Sequence, residues 1–133
     1  MLKKVDHIGI AVKDLEQGKK LFELLTGGAV AHEEVVESEG VKTAFIQVGE
    51  LKLELLSPLN QAGPIQAHLD KRGPGIQQLA FEVENLEAEM ERLRNAGFVL
   101  LNDTPKKGAN NTLVCFIHPK SAGGILVELC QKQ

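Results

Sequence analysis

Four residues of this chain, His7, Glu54, Gln78 and Glu128, combine one imidazole nitrogen with three side-chain oxygen donors. Such a mixed set suits a divalent first-row metal that keeps positions open for water or substrate. The two glutamates also suit proton transfer, because a carboxylate can take a proton from carbon and return it. An internal repeat ties the four together. Residues 6–16 align without a gap on residues 77–87, about seventy positions later, which places His7 over Gln78 and Asp14 over Asn85. Residues 51–56 match 125–130, so that Glu54 overlies Glu128 as the sole acid of each stretch. Two copies of one supersecondary unit complete each other's core, and a site is commonly built where they meet.

The elements that must position these residues follow from periodicity. Residues 5–12 alternate as a strand, with Ile8, Ile10 and Val12 on one face and His7, Gly9 and Ala11 on the other. Asp14 then caps a helix, with Gln17 at the capping-box position, and Leu15, Gly18, Phe22 and Leu25 recur at helical spacing until Gly27-Gly28. Strand patterns at 29–36, 41–48 and 51–56, parted by Gly40 and by Gly49-Glu50, complete a βαβββ module over residues 1–57. Residues 58–75, broken by Pro58, Gly63, Pro64, Gly73, Pro74 and Gly75, read as a linker with one short helix at 65–69. The second module, 76–133, repeats the order: a strand at 78–83, a helix capped by Asn85 with Leu86, Met90 and Leu93 inward, a stop at Gly97, and strands at 98–101, 112–118 and 125–129. The fold class is therefore α+β, two paired βαβββ modules in a single domain. In the strand of Glu54, Leu51, Leu53 and Leu55 oppose Lys52, Glu54 and Leu56; in the last strand Ile125, Val127 and Leu129 oppose Leu126, Glu128 and Cys130. If the modules turn their polar faces together, the four marked residues converge in one cleft.

Composition narrows the partners. A chain of 133 residues can bury a core without disulfides, and its net charge of -3, with no Lys or Arg run longer than two, gives no attraction to nucleic acid. No stretch approaches the ~20 apolar residues of a membrane span, and Met1-Leu2-Lys3-Lys4 leads straight into a strand, so a cytoplasmic protein without a signal peptide is expected. Cys115 and Cys130 sit in apolar runs, where reduced, buried thiols are expected rather than a disulfide. His32, His68 and His118 have no counterpart in the repeat and read as surface or turn residues.

The pattern resembles the vicinal oxygen chelate (glyoxalase/bleomycin resistance) superfamily over nearly the whole chain, and within it the methylmalonyl-CoA epimerases. The resemblance is carried by residues 6–12, 53–58 and 73–78 and above all by 116–129, Phe-Ile-His-Pro-Lys-Ser-Ala-Gly-Gly-Ile-Leu-Val-Glu-Leu. It implies a cupped mixed sheet around a divalent cobalt, zinc, nickel or manganese ion. Carried over by position, metal ligands fall on His7, Gln78 and Glu128, with Glu54 as a further oxygen ligand. Where those epimerases carry His-His, this chain has Gln77-Gln78, whose amide carbonyl can still be a donor. The implied activity is epimerisation of methylmalonyl-CoA through a metal-stabilised enolate, with Glu128 and Glu54 as the proton-transferring acids and lysines 106, 107 and 120 near the CoA tail. A lactoylglutathione lyase acting on a thiol adduct and a non-catalytic small-molecule-binding module of the same fold are the alternatives. Superfamily members of this size commonly form homodimers.

Overall fold

The computed structural model describes residues 1–133, which divide into two compact units, one of residues 7–77 and one of residues 1–6 with 78–133. The elements are β1 (Lys4–Ala11), α1 (Leu15–Thr26), β2 (Val30–Val36), β3 (Val41–Val48), β4 (Leu51–Pro58), α2 (Pro64–Arg72), β5 (Gly75–Glu82), α3 (Leu86–Asn95), β6 (Lys106–Lys107), β7 (Thr112–Ile117) and β8 (Val127–Lys132). The α+β class and the repeated βαβββ order are as the sequence implies. No helix is long and apolar enough to cross a membrane.

In the unit of residues 7–77 the strand order is β2-β3-β4-β1, with β1 parallel to β4 and the remaining pairs antiparallel. Helix α1 covers one face. Asp14 accepts from the backbone N–H of Glu16 and Gln17 at 2.9 and 3.4 Å and fixes its start. Gly27, at φ 77°, ends it in the left-handed conformation that glycine adopts without strain. Gly18 lets the helix approach β1 closely, since a β-carbon there would lie 3.1 Å from Val12 Cγ1. Between helix and sheet, Ile10, Val12, Leu15, Ala44, Ile46 and Leu55 form the core, which is the face assigned to Ile10, Val12 and Leu55 from alternation alone.

The other unit mirrors this plan, with order β5-β8-β7-β6 and β5 parallel to β8. Asn85 caps α3 by accepting from Ala88 N–H at 3.0 Å, and Leu86, Met90 and Leu93 pack on Cys115, Ile117 and Leu129. The first six residues are stitched into this unit by backbone and charge. Lys3 N–H donates to Glu82 O at 2.9 Å, and the buried Glu82 carboxylate receives Lys132 Nζ at 3.0 Å and Lys3 Nζ at 3.2 Å.

Several boundaries move. Helix α2 runs from Pro64 to Arg72, longer than the expected 65–69, because proline is well placed at a first helical position. Strand β5 starts at Gly75 and β8 spans Val127–Lys132 rather than 125–129. The strand expected at 98–101 is reduced to one bridge, Leu100 to Ile117, and to bonds from Leu101 N–H to Phe116 O and from His118 N–H to Val99 O, each 2.8 Å. Asn102 is the reason. Its side chain takes the place of backbone in the ladder, accepting from Phe116 N–H at 2.9 Å and donating to Val114 O at 3.2 Å, so the chain detours before β6.

Two stability experiments follow. Asn102→Ala leaves a part-buried donor and acceptor without partners, and chemical denaturation should show a loss of about 1–3 kcal/mol; no loss would show that water or backbone replaces the amide. The Lys132 and Lys3 ammoniums hold the Glu82 carboxyl below its usual range. A depressed carboxyl contributes stability that is complete above the ordinary glutamate range and drains as pH falls through its folded value. The stability gap between wild type and Glu82→Gln should therefore shrink on acidification below about pH 4.5, and a gap that widens there would reverse this assignment.

Candidate functional site

Each unit carries one buried acid in the same setting. In the unit of residues 7–77, Glu54 on β4 has Gly9 of β1 on one side and Phe45 of β3 on the other. His7 shares the face of Gly9, stands edge-on to the Phe45 ring with centroids 5.9 Å apart, and brings Nε2 to 3.1 Å from Glu54 Oε1. Both side chains are nearly closed to solvent, at 7% and 5% exposure, so this polar contact offsets part of the cost of their burial. Thr43 lies two residues before Phe45 on the same face, with its hydroxyl buried. A threonine is no proton acceptor at neutral pH, which leaves Glu54 as the buried acid of this face.

In the other unit Glu128 on β8 has Ala80 of β5 on one side and Phe116 of β7 on the other. Gln78 Nε2 donates to Glu128 Oε1 at 2.8 Å, and both residues are buried. Gln78 thus turns its NH2 end to Glu128, and an amide also carries a carbonyl oxygen of the kind a cation accepts.

The structure thus joins His7 to Glu54 and Gln78 to Glu128, pairing within each repeat the residues that the alignment matched between repeats. Periodicity missed Phe45 and Phe116, which wall the two acids. The signal was present in Phe45-Ile46 and Phe116-Ile117, one pair in the strand before each acidic strand, but a Phe-Ile pair reads as ordinary core.

Other reactive groups are placed elsewhere. Cys115 packs in the core, where burial pushes its thiol up. Cys130 does share the face of Glu128, opposite Val114, and its thiol donates to Phe81 O at 3.4 Å. The cysteines are buried and form no disulfide. His32 contacts Glu34 Oε1 through Nε2 at 2.6 Å, and His118 accepts from Lys120 N–H at 3.0 Å in a turn.

The donors fit a divalent ion. Metal–ligand bonds of about 2.0–2.2 Å set neighbouring ligand atoms roughly 3 Å apart, and His7 Nε2 and Glu54 Oε1 are 3.1 Å apart. In the other unit, Gln78 and Glu128 are oxygen donors of the kind hard and borderline cations take.

Known proteins agree with this architecture. Residues 6–116 match the family model of the Glyoxalase/Bleomycin resistance protein/Dioxygenase superfamily. An ethylmalonyl-CoA/methylmalonyl-CoA epimerase of Cereibacter sphaeroides is 38% identical over 133 residues, covering 98% of this chain and 99% of that protein. The crystal structure of methylmalonyl-CoA epimerase from Mycobacterium tuberculosis superposes with a TM-score of 0.96 at 40% identity, covering 99% of this chain and 89% of that one. A Streptomyces coelicolor methylmalonyl-CoA epimerase variant in complex with 2-nitronate-propionyl-CoA gives a TM-score of 0.96 at 32% identity, covering 99% of each chain. With its repeat, its two walled acids and these relatives, the chain belongs to the Glyoxalase/Bleomycin resistance protein/Dioxygenase superfamily, and its whole length follows that of methylmalonyl-CoA epimerases.

Proposed function

We propose that this protein epimerises methylmalonyl-CoA by moving the proton on the carbon next to the thioester carbonyl, with Glu128 and Glu54 as the exchanging acids. The observation that carries the reading is the repeated acid, set in each unit between an aromatic ring and a residue too small to cover it. Gly9 and Ala80 leave room over the carboxylates, while Phe45 and Phe116 exclude water from their flanks. Proton abstraction next to a carbonyl makes an enolate, and catalysis requires its oxygen to be stabilised while the base stays positioned. The likeness to the Streptomyces epimerase supports this, since a nitronate beside a thioester is a planar anion shaped like that enolate.

Glu128 is the first base. Gln78 holds one of its oxygens at 2.8 Å and so orients the carboxylate. Glu54, oriented by His7, is the second acid. A divalent cobalt, zinc, nickel or manganese ion held by His7, Glu54, Gln78 and Glu128 would supply a Lewis acid for the developing oxyanion. The reading includes a cytoplasmic homodimer, and the dimer is supported by Leu21, Leu24 and Leu25, which stay exposed along one side of α1.

Proton NMR in deuterated water tests the chemistry. Wild-type protein with methylmalonyl-CoA should incorporate solvent deuterium at the α-carbon, and Glu128→Gln should stop it, because an amide cannot accept the proton. Metal analysis is the companion measurement: His7→Ala should lose bound ion, since few ligands remain. Undiminished exchange in Glu128→Gln would move the base role to Glu54. Absence of exchange in wild type, with turnover of a methylglyoxal–glutathione adduct, would give the function to the lyase reading instead.

The thiols take no part in this scheme. Cys130→Ser should keep turnover within a few-fold of wild type, and a thousandfold loss would reveal a catalytic thiol.

A further inference from the structure

Three lysines follow from the sequence as candidates for a substrate's charge, and the structure separates them. Lys106 on β6 lies opposite Val114 of β7, and Val114 and Phe116 share one face of that strand. Phe116 in turn lies opposite Glu128. Lys106, Phe116 and Glu128 therefore stand on one face of three successive strands. Lys107 alternates to the other face, opposite Leu113, which packs on the core. Lys120 is exposed in the turn after His118.

The direction of the Lys106 side chain adds to this. Its Nζ lies 5.3 Å from the centroid of the Phe116 ring, so from a backbone position level with Val114 the ammonium leans toward the level of Glu128. A ring face attracts a cation and leaves its N–H groups pointing outward to a further anion. The internal repeat supplies the control. The position matching Lys106 in the other unit is Glu34, opposite Thr43 of β3, so the two walled acids are flanked by opposite charges.

We infer that Lys106 is a specificity-determining residue that binds the free carboxylate of a malonyl-type acyl thioester beside Glu128, an inference that rests on the epimerase reading and names what that site selects. Such a group suits the chemistry. A substrate whose reacting carbon bears a carboxylate must place that anion near the ionised base that removes its proton, and like charges repel strongly where water is excluded. An ammonium on the same face offsets the repulsion without touching the proton itself. A carboxylate on the acyl carbon and the phosphates of CoA share this anionic chemistry, and truncated substrates tell them apart.

Lys106→Met keeps the stem over Phe116 and removes the charge. Isothermal titration should compare wild type and variant with methylmalonyl-CoA, with propionyl-CoA, which lacks the carboxylate, and with the methylmalonyl thioester of N-acetylcysteamine, which lacks the phosphates. Loss of one charge-assisted contact predicts about 10- to 100-fold weaker binding of both methylmalonyl thioesters. Propionyl-CoA should bind the two proteins alike, and Lys106→Arg should return to within a few-fold of wild type. Equal binding of methylmalonyl-CoA by wild type and Lys106→Met overturns the inference. A loss seen with propionyl-CoA but not with the truncated thioester also overturns it, because Lys106 would then serve the phosphates. Wild-type protein that neither binds nor exchanges methylmalonyl-CoA fails in a different way and removes the epimerase reading itself.

Discussion

Each unit holds a carboxylate on its sheet, Glu54 or Glu128, buried away from water, and that burial constrains what surrounds it. An ionised acid in such a place is costly unless a polar partner compensates it, and the partner must be held in position by the fold. Part of the compensation comes from within each unit: His7 Nε2 lies 3.1 Å from Glu54, and Gln78 donates to Glu128 at 2.8 Å. Strand pairing then adds a ring on one side and a small residue on the other. The helices serve the same end from the opposite face, since α1 and α3 fill the reverse side of each sheet with aliphatic side chains and keep the acidic strands in register.

The repeat makes the site legible by comparison within one chain. Because each acid sits in the same frame, what differs between the frames is informative. One acid has an imidazole and the other an amide; one has Glu34 across the neighbouring strand and the other Lys106.

Much of this was readable from residue order. Alternation placed Ile10, Val12, Leu55 and Leu129 in the cores and His7, Glu54, Gln78 and Glu128 on the other faces, because a strand's period of two leaves little freedom once one face is greasy. Caps at Asp14 and Asn85 were equally plain. What could not be read depends on pairing between strands distant in sequence. Nothing in residues 98–107 announces that the Asn102 amide will replace backbone in a ladder, so a strand was expected where the chain detours and none where Lys106 pairs. For the same reason the walls, Phe45 and Phe116, became visible only with the register in hand.

That detour has a further effect on how the molecule behaves in a crowded solution. The outermost strand beside β7 is only two residues long, both lysines, and the segment before it offers β7 its backbone at Val99 and Leu101 and then a side chain at Asn102. The outermost strand beside β3 is longer, but its register shifts between Val30 and His32 and it carries Glu33 and Glu34. A continuous, uncharged strand edge is a template on which another chain can extend the sheet. Neither border of these sheets presents one, so the breaks and charges that set the geometry around Glu128 and Glu54 also discourage strand-to-strand aggregation.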